Sequence, residues 1–594
     1  MKSWLEYCLA KDEGCKVQNA DFIPKRLLDV GPSRKPNVLL VELQKPVQYV
    51  SLSYCWGIDL VDVVTTTTSN ISSHMKEGIT LQSLPKAIQD AILVCRGTEI
   101  QYLWVDALCI IQDDRNDWAK ESANMLNIYA SSTFTIAVSE PDSCKKGFLG
   151  PQKYGSSTWQ RVVRTSVPAV LGGPSDHIYI RESNPADTLD NSSPTPRSSL
   201  DKRSWCMQES ILPNRVLHFD GNELVWQCLQ RRLCECGHTV NLAYSTHSEL
   251  KVGLEHGKVL HMSFAPFNLY RSWYDLVHEY SFRHLTMQTD KLVAISGLAT
   301  LFSRTTHGHS NSVPSAGRFA RISQTPNNLN DVDANPGDYC AGIWKNRFIQ
   351  GLSWNVDRSS LESAGRLRHA RQEQYCAPTW SWASIDGPIK YLYESSVDGW
   401  KYKPAMKERS QLLEVAFTYM DPANHLSPVT SGYAVLNGPI VPVLIDHKPA
   451  SDSDPWIISL FPRAERIVFV KAKHTSTVEV TVDIDVDVDE AVSGRSSDKE
   501  AQTSRTATSE PDFSNTPYYC LELFSWVDAR GEPKTRSYHD RRMPPEIWFL
   551  LLKKTSVNSD IMDLFQRLGV GMIDTRHGGA NFFRNAMVKK IKLV

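Results

Sequence analysis

The chain has 594 residues, a formal net charge of −1, 41% hydrophobic residues and 22% charged residues. This composition is ordinary for a globular protein, and the length predicts about two to four domains. A near-neutral chain excludes a general attraction to nucleic acid or to an anionic membrane, since both require a clustered basic surface.

The chain lacks the apolar segments that export or membrane insertion would need. Charged residues interrupt MKSWLEYCLAKDEG (1–14), and the longest apolar run near the other end is WFLLL (548–552). The 13 cysteines are an odd number spread over a long chain, which is typical of reduced thiols rather than of a disulfide framework. We therefore expect a cytoplasmic or nuclear protein, with cytoplasmic as our choice, without a membrane span and without a nucleic-acid partner.

Segment 37–138 alternates between strand-like and helix-like patterns. This alternation predicts an α/β fold with a parallel sheet and crossover helices. YLWVDALCII (102–111) is nearly continuous apolar sequence, as expected for a strand that is covered on both faces. The other expected elements are strands VLLVEL (38–43), VQYVSLSYCW (47–56) and TFTIAV (133–138), and helices SLPKAIQDAILVCRG (83–97) and DWAKESANMLNIYAS (117–131).

Further along, the patterns are shorter and more mixed. Segment 203–228 predicts a short helix, a break at Pro213 and two strands around an Asp-Gly turn. We expect residues 305–337 to loop out and residues 484–516, which are acidic and then Ser/Thr-rich, to be disordered. VFVKAK (468–473), CLELFSWV (520–527) and WFLLLKK (548–554) predict a mostly β C-terminal part.

Glu121 is the strongest candidate for a catalytic carboxylate. It lies on the apolar stripe of the helix predicted at 117–131, three residues after Trp118 and four before Met125. A carboxylate on an inward face is costly unless it is paired or lines a cavity. Glu121 is therefore either favoured by the helix dipole or paired with an arginine, or it is a catalytic group beside an aromatic side chain.

Polar and aromatic residues also follow two of the predicted strands. In open α/β sheets, ligands bind outside the carboxyl ends of the strands. Candidate binding residues are Tyr54, Trp56 and Gly57 at the end of one strand and Asp113 after the other. Tyr54 and Trp56 can equally be core residues, and Asp114 or Asp117 can cap the next helix. Asp106 lies within the apolar strand and needs a partner, such as Arg203 or the Tyr54 hydroxyl.

RSWCMQES (203–210) supplies a compact set of polar and aromatic side chains. On a helix Trp205 shares a face with Glu209 and with Gln208, and Arg203 lies just before them. This set is either a structural ion pair with a buried tryptophan or part of a binding site.

The sequence predicts no metal site. Cys228, Cys234, Cys236 and His238 are soft ligands within eleven residues, but their spacing differs from that of zinc knuckles. No phosphate-binding glycine loop and no nucleophile elbow is present either.

Three blocks in order resemble the fungal heterokaryon incompatibility (HET) domain. They are YVSLSYCWG (49–57), YLWVDALCIIQDDRNDWAKESANMLNIYASSTFTIAV (102–138) and RSWCMQESILPNRVLHF (203–219), with a similar continuation at 275–299, 339–344 and 377–387. The resemblance implies a HET domain at 37–240, with a core at 37–140 plus the third motif at 203–228. It also implies a HET-associated helical or mixed region at 241–400, which leaves a β-rich region at 401–594.

The resemblance also carries an expected fold and function. HET domains are considered distantly similar to Toll/interleukin-1 receptor (TIR) domains, which implies a flavodoxin-like parallel sheet. HET proteins act in non-self recognition and programmed cell death. Some TIR domains cleave NAD with a glutamate in a Trp-x-x-Glu-like element, a form that Trp118 and Glu121 share. We expect no cofactor, with NAD as a possible substrate.

Two functions follow from the resemblance. One is a NAD glycohydrolase that uses Glu121. The other is a non-catalytic signalling module that self-associates or binds another incompatibility protein. Both imply protein partners and allow a homo-oligomer.

Overall fold

The structure is a computed structural model of the whole chain. It describes residues 1–12, 15, 21–32, 35–149, 163–167, 176–180, 198–219, 224–235, 239–241, 269–308, 339–357, 370–371, 374–391, 405–422, 427–446, 467–472, 478–482, 516–527, 547–555, 562–573 and 582–594.

Helices are concentrated in the N-terminal half of the described residues. In chain order they are α1 (Lys2–Lys11), α2 (Ile71–Lys76), α3 (Lys86–Thr98), α4 (Asp106–Cys109), α5 (Arg115–Ala123), α6 (Met125–Ala130), α7 (Ser204–Ile211), α8 (Leu269–Ser281), α9 (Ser296–Gly308) and α10 (Phe348–Gly351).

Strands occur in both halves. In the first half they are β1 (Leu27–Asp29), β2 (Asn37–Val41), β3 (Tyr49–Ser53), β4 (Ile79–Thr80), β5 (Tyr102–Trp104), β6 (Phe134–Val138), β7 (Val163–Val167), β8 (Asp176–Ile180), β9 (Arg215–Phe219), β10 (Leu224–Cys228), β11 (Arg231–Cys234) and β12 (Thr239–Asn241).

In the second half they are β13 (Tyr339–Cys340), β14 (Ile343–Trp344), β15 (Trp354–Val356), β16 (Ala370–Arg371), β17 (Ile385–Asp386), β18 (Ile389–Tyr391), β19 (Ala405–Glu408), β20 (Gln411–Tyr419), β21 (Val429–Asp446), β22 (Ile467–Ala472), β23 (Val478–Val482), β24 (Tyr518–Val527), β25 (Ile547–Lys554), β26 (Leu564–Ile573) and β27 (Met587–Leu593).

The chain divides into two compact units. Unit 1 comprises Met1–Leu269 and Ala294–Ala334, and unit 2 comprises Tyr270–Val293 and Asn335–Val594.

Unit 1 is built on a mixed ten-stranded sheet. Its strand order is β12-β11-β10-β9-β6-β3-β5-β1-β2-β4. The four central strands β9, β6, β3 and β5 run parallel, and the outer strands pair antiparallel. The sequence prediction of an α/β fold with parallel strands is therefore confirmed for this unit, and its helices α3, α5, α6 and α7 lie in the connections between parallel strands.

The central strand β3 is buried on both faces. Val50, Leu52 and Tyr54 join the main hydrophobic core with the apolar side of α3. On the opposite face Ser51 hydrogen-bonds Thr135 of β6, with the two hydroxyl oxygens 2.8 Å apart. Strand β3 therefore shows the period-two alternation of a strand with two covered faces.

The strand predicted at 102–111 is wrong beyond its third residue. Only Tyr102–Trp104 is strand, and Asp106 begins the short helix α4. The reason is local. The Asp106 carboxylate accepts the Ala107 N–H at 2.7 Å, and the Val105 N–H donates to the Cys109 Sγ. These side-chain bonds stabilise a helical turn in place of strand pairing.

Two other predicted elements are rearranged. The helix predicted at 117–131 is two helices, α5 and α6, because Asn124 between them has a φ of −88° and a ψ of −1°. Strands β2 and β3 both form, but they do not pair with each other, since β1 and β5 lie between them. Segment 203–228 is confirmed as helix α7 and the antiparallel strands β9 and β10.

Unit 2 is mostly β, as the sequence predicts for the C-terminal part. Its nine-stranded sheet contains β19 to β27, and all of its pairings are antiparallel except that of β26 with β27. The predicted strands at 468–473, 520–527 and 548–554 correspond to β22, β24 and β25. Residues 305–308 of the predicted loop at 305–337 are instead the end of α9, and Thr516, the last residue of the segment 484–516 that was predicted to be disordered, is buried. The rest of both segments and the Asp-Gly turn at 220–221 lie outside the described residues.

Across the described residues, none of the helices is long and apolar enough to span a membrane.

We expect Arg567 to be a main stabilising residue of unit 2. Its side chain is fully buried, donates to the backbone carbonyls of Leu352 (2.6 Å) and Trp354, and lies 3.5 Å from the centre of the Trp354 ring. Arg567→Met should lower the free energy of unfolding by about 2–4 kcal/mol, measured by denaturant titration. The exposed Arg584 is the control, because Arg584→Met should cost less than about 0.5 kcal/mol. Equal losses in the two variants would contradict this role.

Candidate functional site

The candidate site lies at the carboxyl edge of the parallel strands of unit 1. Strands β3, β5 and β6 run in the same direction, so the residues that follow them emerge at one edge. The chain crosses from β5 on one side of β3 to β6 on its other side. Ligand sites of open α/β sheets form at such a reversal of strand order.

Trp56 and Asp106 connect the ends of β3 and β5. The Trp56 indole Nε1 donates to the Asp106 Oδ2 at 2.9 Å, and both side chains are half-buried. Burial raises the pKa of the Asp106 carboxyl, while Arg203 and the Tyr54 hydroxyl act in the opposite direction. Arg203 and Tyr54, the two partners expected from the sequence, are thus both close to Asp106.

Helix α7 brings two charged side chains to the same edge. The Arg203 guanidinium donates to the Tyr54 carbonyl at 2.9 Å, and the Ser53 hydroxyl donates to the Glu209 carboxylate. Burial raises the pKa of Glu209 to about 7, against the hydrogen bond from Ser53. Tyr54, Trp56, Asp106, Arg203 and Glu209 therefore form one polar cluster, which we call the edge cluster.

Gly57 allows the chain to turn away from the sheet immediately after Trp56. Its φ is +93°, and a Cβ built at this position would lie 2.7 Å from the Ser143 hydroxyl. Both observations favour glycine here.

Glu121 is buried and faces inward, as its place on the helical stripe predicts. Its side chain is 3% exposed, and no hydrogen bond or ion pair joins its carboxylate to another residue in the described part of the chain. Burial raises the pKa of Glu121, and the nearby Arg26 counteracts this only in part. Neither structural interpretation from the sequence holds. No arginine in the described part of the chain forms an ion pair with this carboxylate, and Glu121 lies in the last turn of α5 rather than in the first, where the helix dipole would favour it.

The other buried carboxylates in the described ranges all have partners. The pairs are Asp12 with Arg231, Asp90 with Lys86, Asp117 with Arg26, Glu209 with Ser53, Asp357 with Lys390 and Glu522 with Arg409.

The buried arginine near Glu121 belongs to Asp117 instead. Arg26 and Lys25 both bind the Asp117 carboxylate, and the Ile111 N–H donates to it at 2.9 Å. Burial would raise the pKa of Asp117, but these bonds hold it below its usual value. The sequence did not single out Arg26 and Lys25, because they precede the predicted domain. Asp114, one of the two helix caps expected from the sequence, does cap α5.

Two tryptophans lie beside these acidic groups. Trp118 of α5 and Trp205 of α7 meet edge to face, with ring centres 6.2 Å apart, and both rings are half-exposed. Trp118 is one turn before Glu121 on α5. This contact brings the helix of Glu121 next to the helix that carries Glu209.

The Cys109 thiol is within electrostatic range of both Glu121 and the edge cluster. Burial raises its pKa to about 12, and the charges of Glu121 and Asp106 add to the rise. The Cys109 thiol therefore has both carboxylates in its electrostatic neighbourhood. The aromatic faces, the arginine and the carboxyl groups described above are of the kinds that bind a flat, anionic ligand and stabilise a developing positive charge.

Two predicted residues are not part of this neighbourhood. Asp113 is exposed, and its carboxylate accepts the Thr68 N–H and hydroxyl, both at 2.7 Å. Gln208 is buried, and its side-chain oxygen lies close to Gly297 of α9. Among the described residues, neither side chain hydrogen-bonds a member of the edge cluster.

Cys228 and Cys234, the two described members of the cysteine set near the end of β10, are too far apart to share a zinc ion. Cys234 lies opposite Val225 in the β10–β11 pair, three residues and roughly 10 Å along the strand from Cys228. This separation exceeds the reach of one zinc ion. Cys236 and His238 lie outside the described residues.

Comparison with known proteins identifies one family. Residues 49–209 match the family model described as Heterokaryon incompatibility protein (HET). The matched range contains β3, the edge cluster, Glu121 and most of α7. No curated protein and no solved structure matches the chain.

Replacing the two acidic residues of α5 with their neutral amides should change the stability of the protein in opposite directions. Asp117→Asn leaves the buried Arg26 without its carboxylate, so it should cost about 3–5 kcal/mol of unfolding free energy. Glu121→Gln removes an unpaired carboxylate and should raise the melting temperature at neutral pH. Because the pKa of Glu121 is raised in the folded state, this gain should shrink as the pH falls. A large loss of stability in Glu121→Gln would show that its carboxylate is paired after all.

Glu209 should make stability depend on pH near neutrality. Its pKa is about 7 in the folded protein and 4.5 ordinarily, so the folded state binds the proton more tightly. Wild-type stability should therefore fall as the pH rises through this window, and Glu209→Gln should remove that part of the fall. Thermal unfolding at several pH values measures the difference. Parallel curves for the two proteins would contradict the raised pKa.

Proposed function

We propose that this protein, whose residues 49–209 match the HET family model, acts in non-self recognition and programmed cell death by cleaving NAD. The HET domain implies a function of the heterokaryon incompatibility type. The observation that carries the enzymatic part of the proposal is the buried Glu121 carboxylate, which lacks a partner while every other buried acid in the described ranges has one.

A single carboxylate that is shielded from solvent is suited to the proposed cleavage of NAD. The bond between the ribose C1′ and the nicotinamide nitrogen breaks, and its electron pair goes to the nicotinamide ring, which leaves neutral. The ribose carbon becomes positively charged, and an ionised Glu121 would stabilise that charge, as carboxylates do in glycoside hydrolysis. Water then bonds to C1′ and gives up a proton, for which Glu121 is an available base.

The surroundings of Glu121 supply contacts for the rest of the substrate. Trp118 and Trp205 offer half-exposed aromatic surfaces for a flat ring. Arg203, at the start of α7, is the candidate to bind the diphosphate. The parallel order β5-β3-β6-β9 supports a TIR-like site at this edge, because it sets the ends of β3 and β6 at the reversal of strand order.

NAD cleavage should depend on Glu121. Purified full-length protein, incubated with NAD at concentrations that favour assembly, should release nicotinamide, and Glu121→Gln should reduce the rate by at least about 100-fold. Glu77→Gln is the matched control, since Glu77 is exposed and outside the site. Thermal unfolding of Glu121→Gln confirms that the variant is folded. The proposal fails if wild type releases no nicotinamide, or if both variants match it.

A non-catalytic signalling module is the second candidate, and one surface feature favours it. The loop after Gly57 exposes three large apolar side chains, with Ile58 fully exposed, Leu60 48% exposed and Val61 68% exposed. Exposed apolar side chains that lie close together mark surfaces that bind other proteins. A second copy of this chain is the simplest partner.

Self-association can be tested by measuring the size of the assemblies in solution. Ile58→Asp combined with Val61→Asp should shift wild-type assemblies toward the monomer in sedimentation velocity, while Leu413→Asp, on an exposed strand of unit 2, should leave them unchanged. Assembly without nicotinamide release, lost in the double variant, would favour the module. A monomeric wild type would exclude self-association.

A further inference from the structure

Three cysteines and one aspartate converge inside unit 1, away from the site of Glu121. Cys8, Asp12, Cys15 and Cys228 are buried, and one ligand atom from each lies within 4.8 Å of the others. Cys8, Asp12 and Cys15 come from the N-terminal segment, and Cys228 is the last residue of β10. All four lie outside the residues that match the HET family model.

Local backbone bonds hold three of these ligands in a compact arrangement. Cys8 faces inward near the end of α1, the Asp12 N–H donates to its carbonyl at 3.0 Å, and the Cys15 N–H donates to the Asp12 carbonyl at 2.9 Å. The intervening stretches are three and two residues long, within the spacing typical of structural zinc sites. Cys228 supplies the fourth ligand from a distant part of the chain, and its Sγ is 3.6 Å from the Asp12 Oδ2.

Two arginines point to a negative charge at this place. Arg215 is 1% exposed and lies 3.2 Å from the Cys8 Sγ, and its other acceptors are the Thr133 and Cys15 carbonyls. No carboxylate forms an ion pair with Arg215 within the described ranges. A buried guanidinium is more stable beside an anion, and a thiolate at Cys8 would supply one. Arg231 binds the Asp12 carboxylate at 2.7 Å.

The charges balance when a divalent ion is added. Three thiolates and one carboxylate carry four negative charges, a divalent metal reduces the total to minus two, and Arg215 with Arg231 neutralises the remainder. Thiolate ligands favour zinc over calcium or magnesium, which prefer oxygen ligands. Four ligands that are all buried form a closed set, which is typical of a structural site rather than a catalytic one.

We propose that Cys8, Asp12, Cys15 and Cys228 bind one structural zinc ion. The ion joins helix α1 and the segment that follows it to the end of β10, and so fixes the N-terminal segment against the sheet that carries the candidate site. The three thiols lose their protons when zinc binds. This inference does not depend on NAD cleavage.

Metal content tests the site directly. Full-length protein purified with a reductant and without chelator should contain about one zinc per chain by plasma mass spectrometry. Its zinc X-ray absorption spectrum should show about three sulfur ligands at about 2.3 Å and one oxygen ligand at about 2.0–2.2 Å. Less than about 0.1 zinc per chain, with the three thiols free or joined as a disulfide by mass spectrometry, would overturn the proposal.

Variants assign the ligands. Cys15→Ser and Cys228→Ser should each lower the zinc content severalfold, whereas Cys234→Ser should keep it, since Cys234 is half-exposed on β11 outside the cluster. Equal zinc loss in Cys234→Ser would place the ion elsewhere.

The wild-type protein provides a test that does not depend on how the variants fold. A mercurial thiol reagent should release one equivalent of zinc to a colorimetric chelator, and metal removal should lower the melting temperature. Zinc removal without any change in melting temperature would overturn the structural role.

Discussion

The parallel pairing of β3 with β5 and β6 is the constraint on which the rest of unit 1 depends. It sends the residues after three strands to one edge of the sheet, where Trp56 reaches Asp106. The crossover helices required by parallel strands then deliver α5 and α7 to the same edge, with Glu121 on one and Arg203 and Glu209 on the other. The edge cluster is therefore a product of strand direction.

The described part of the chain treats buried carboxylates in two ways. Asp117, Asp90 and Asp12 each have a cationic partner and therefore stabilise the fold. Glu121 has none, and a sequence that leaves a carboxylate buried in this way sacrifices stability at that position. Such local costs occur where a side chain is kept for chemistry. The same reasoning, applied to the buried Arg215, which has no carboxylate partner in the described ranges, leads to the proposed zinc site.

Several features were predictable because they depend on neighbours in sequence. The alternation within β3, the inward face of Glu121 and the helix cap at Asp114 all follow from local periodicity or local hydrogen bonding. The strand predicted at 102–111 failed because the apolar run continues through α4, and periodicity does not separate a buried strand from a short buried helix. The hydrogen bond between the Asp106 side chain and the backbone favours the helical turn over the strand there.

The sequence by itself determined that unit 1 has an α/β fold and that unit 2 is mostly β. It also determined which segment resembles and matches the HET domain. Each of these properties depends on residues that are contiguous in the chain. Only the tertiary structure decided which charges meet. Arg26 pairs with Asp117 rather than with Glu121, and Cys228 lies with Cys8 and Cys15 rather than with Cys234. Partners separated by about a hundred or more residues are selected by strand order and helix packing, and no local pattern encodes them.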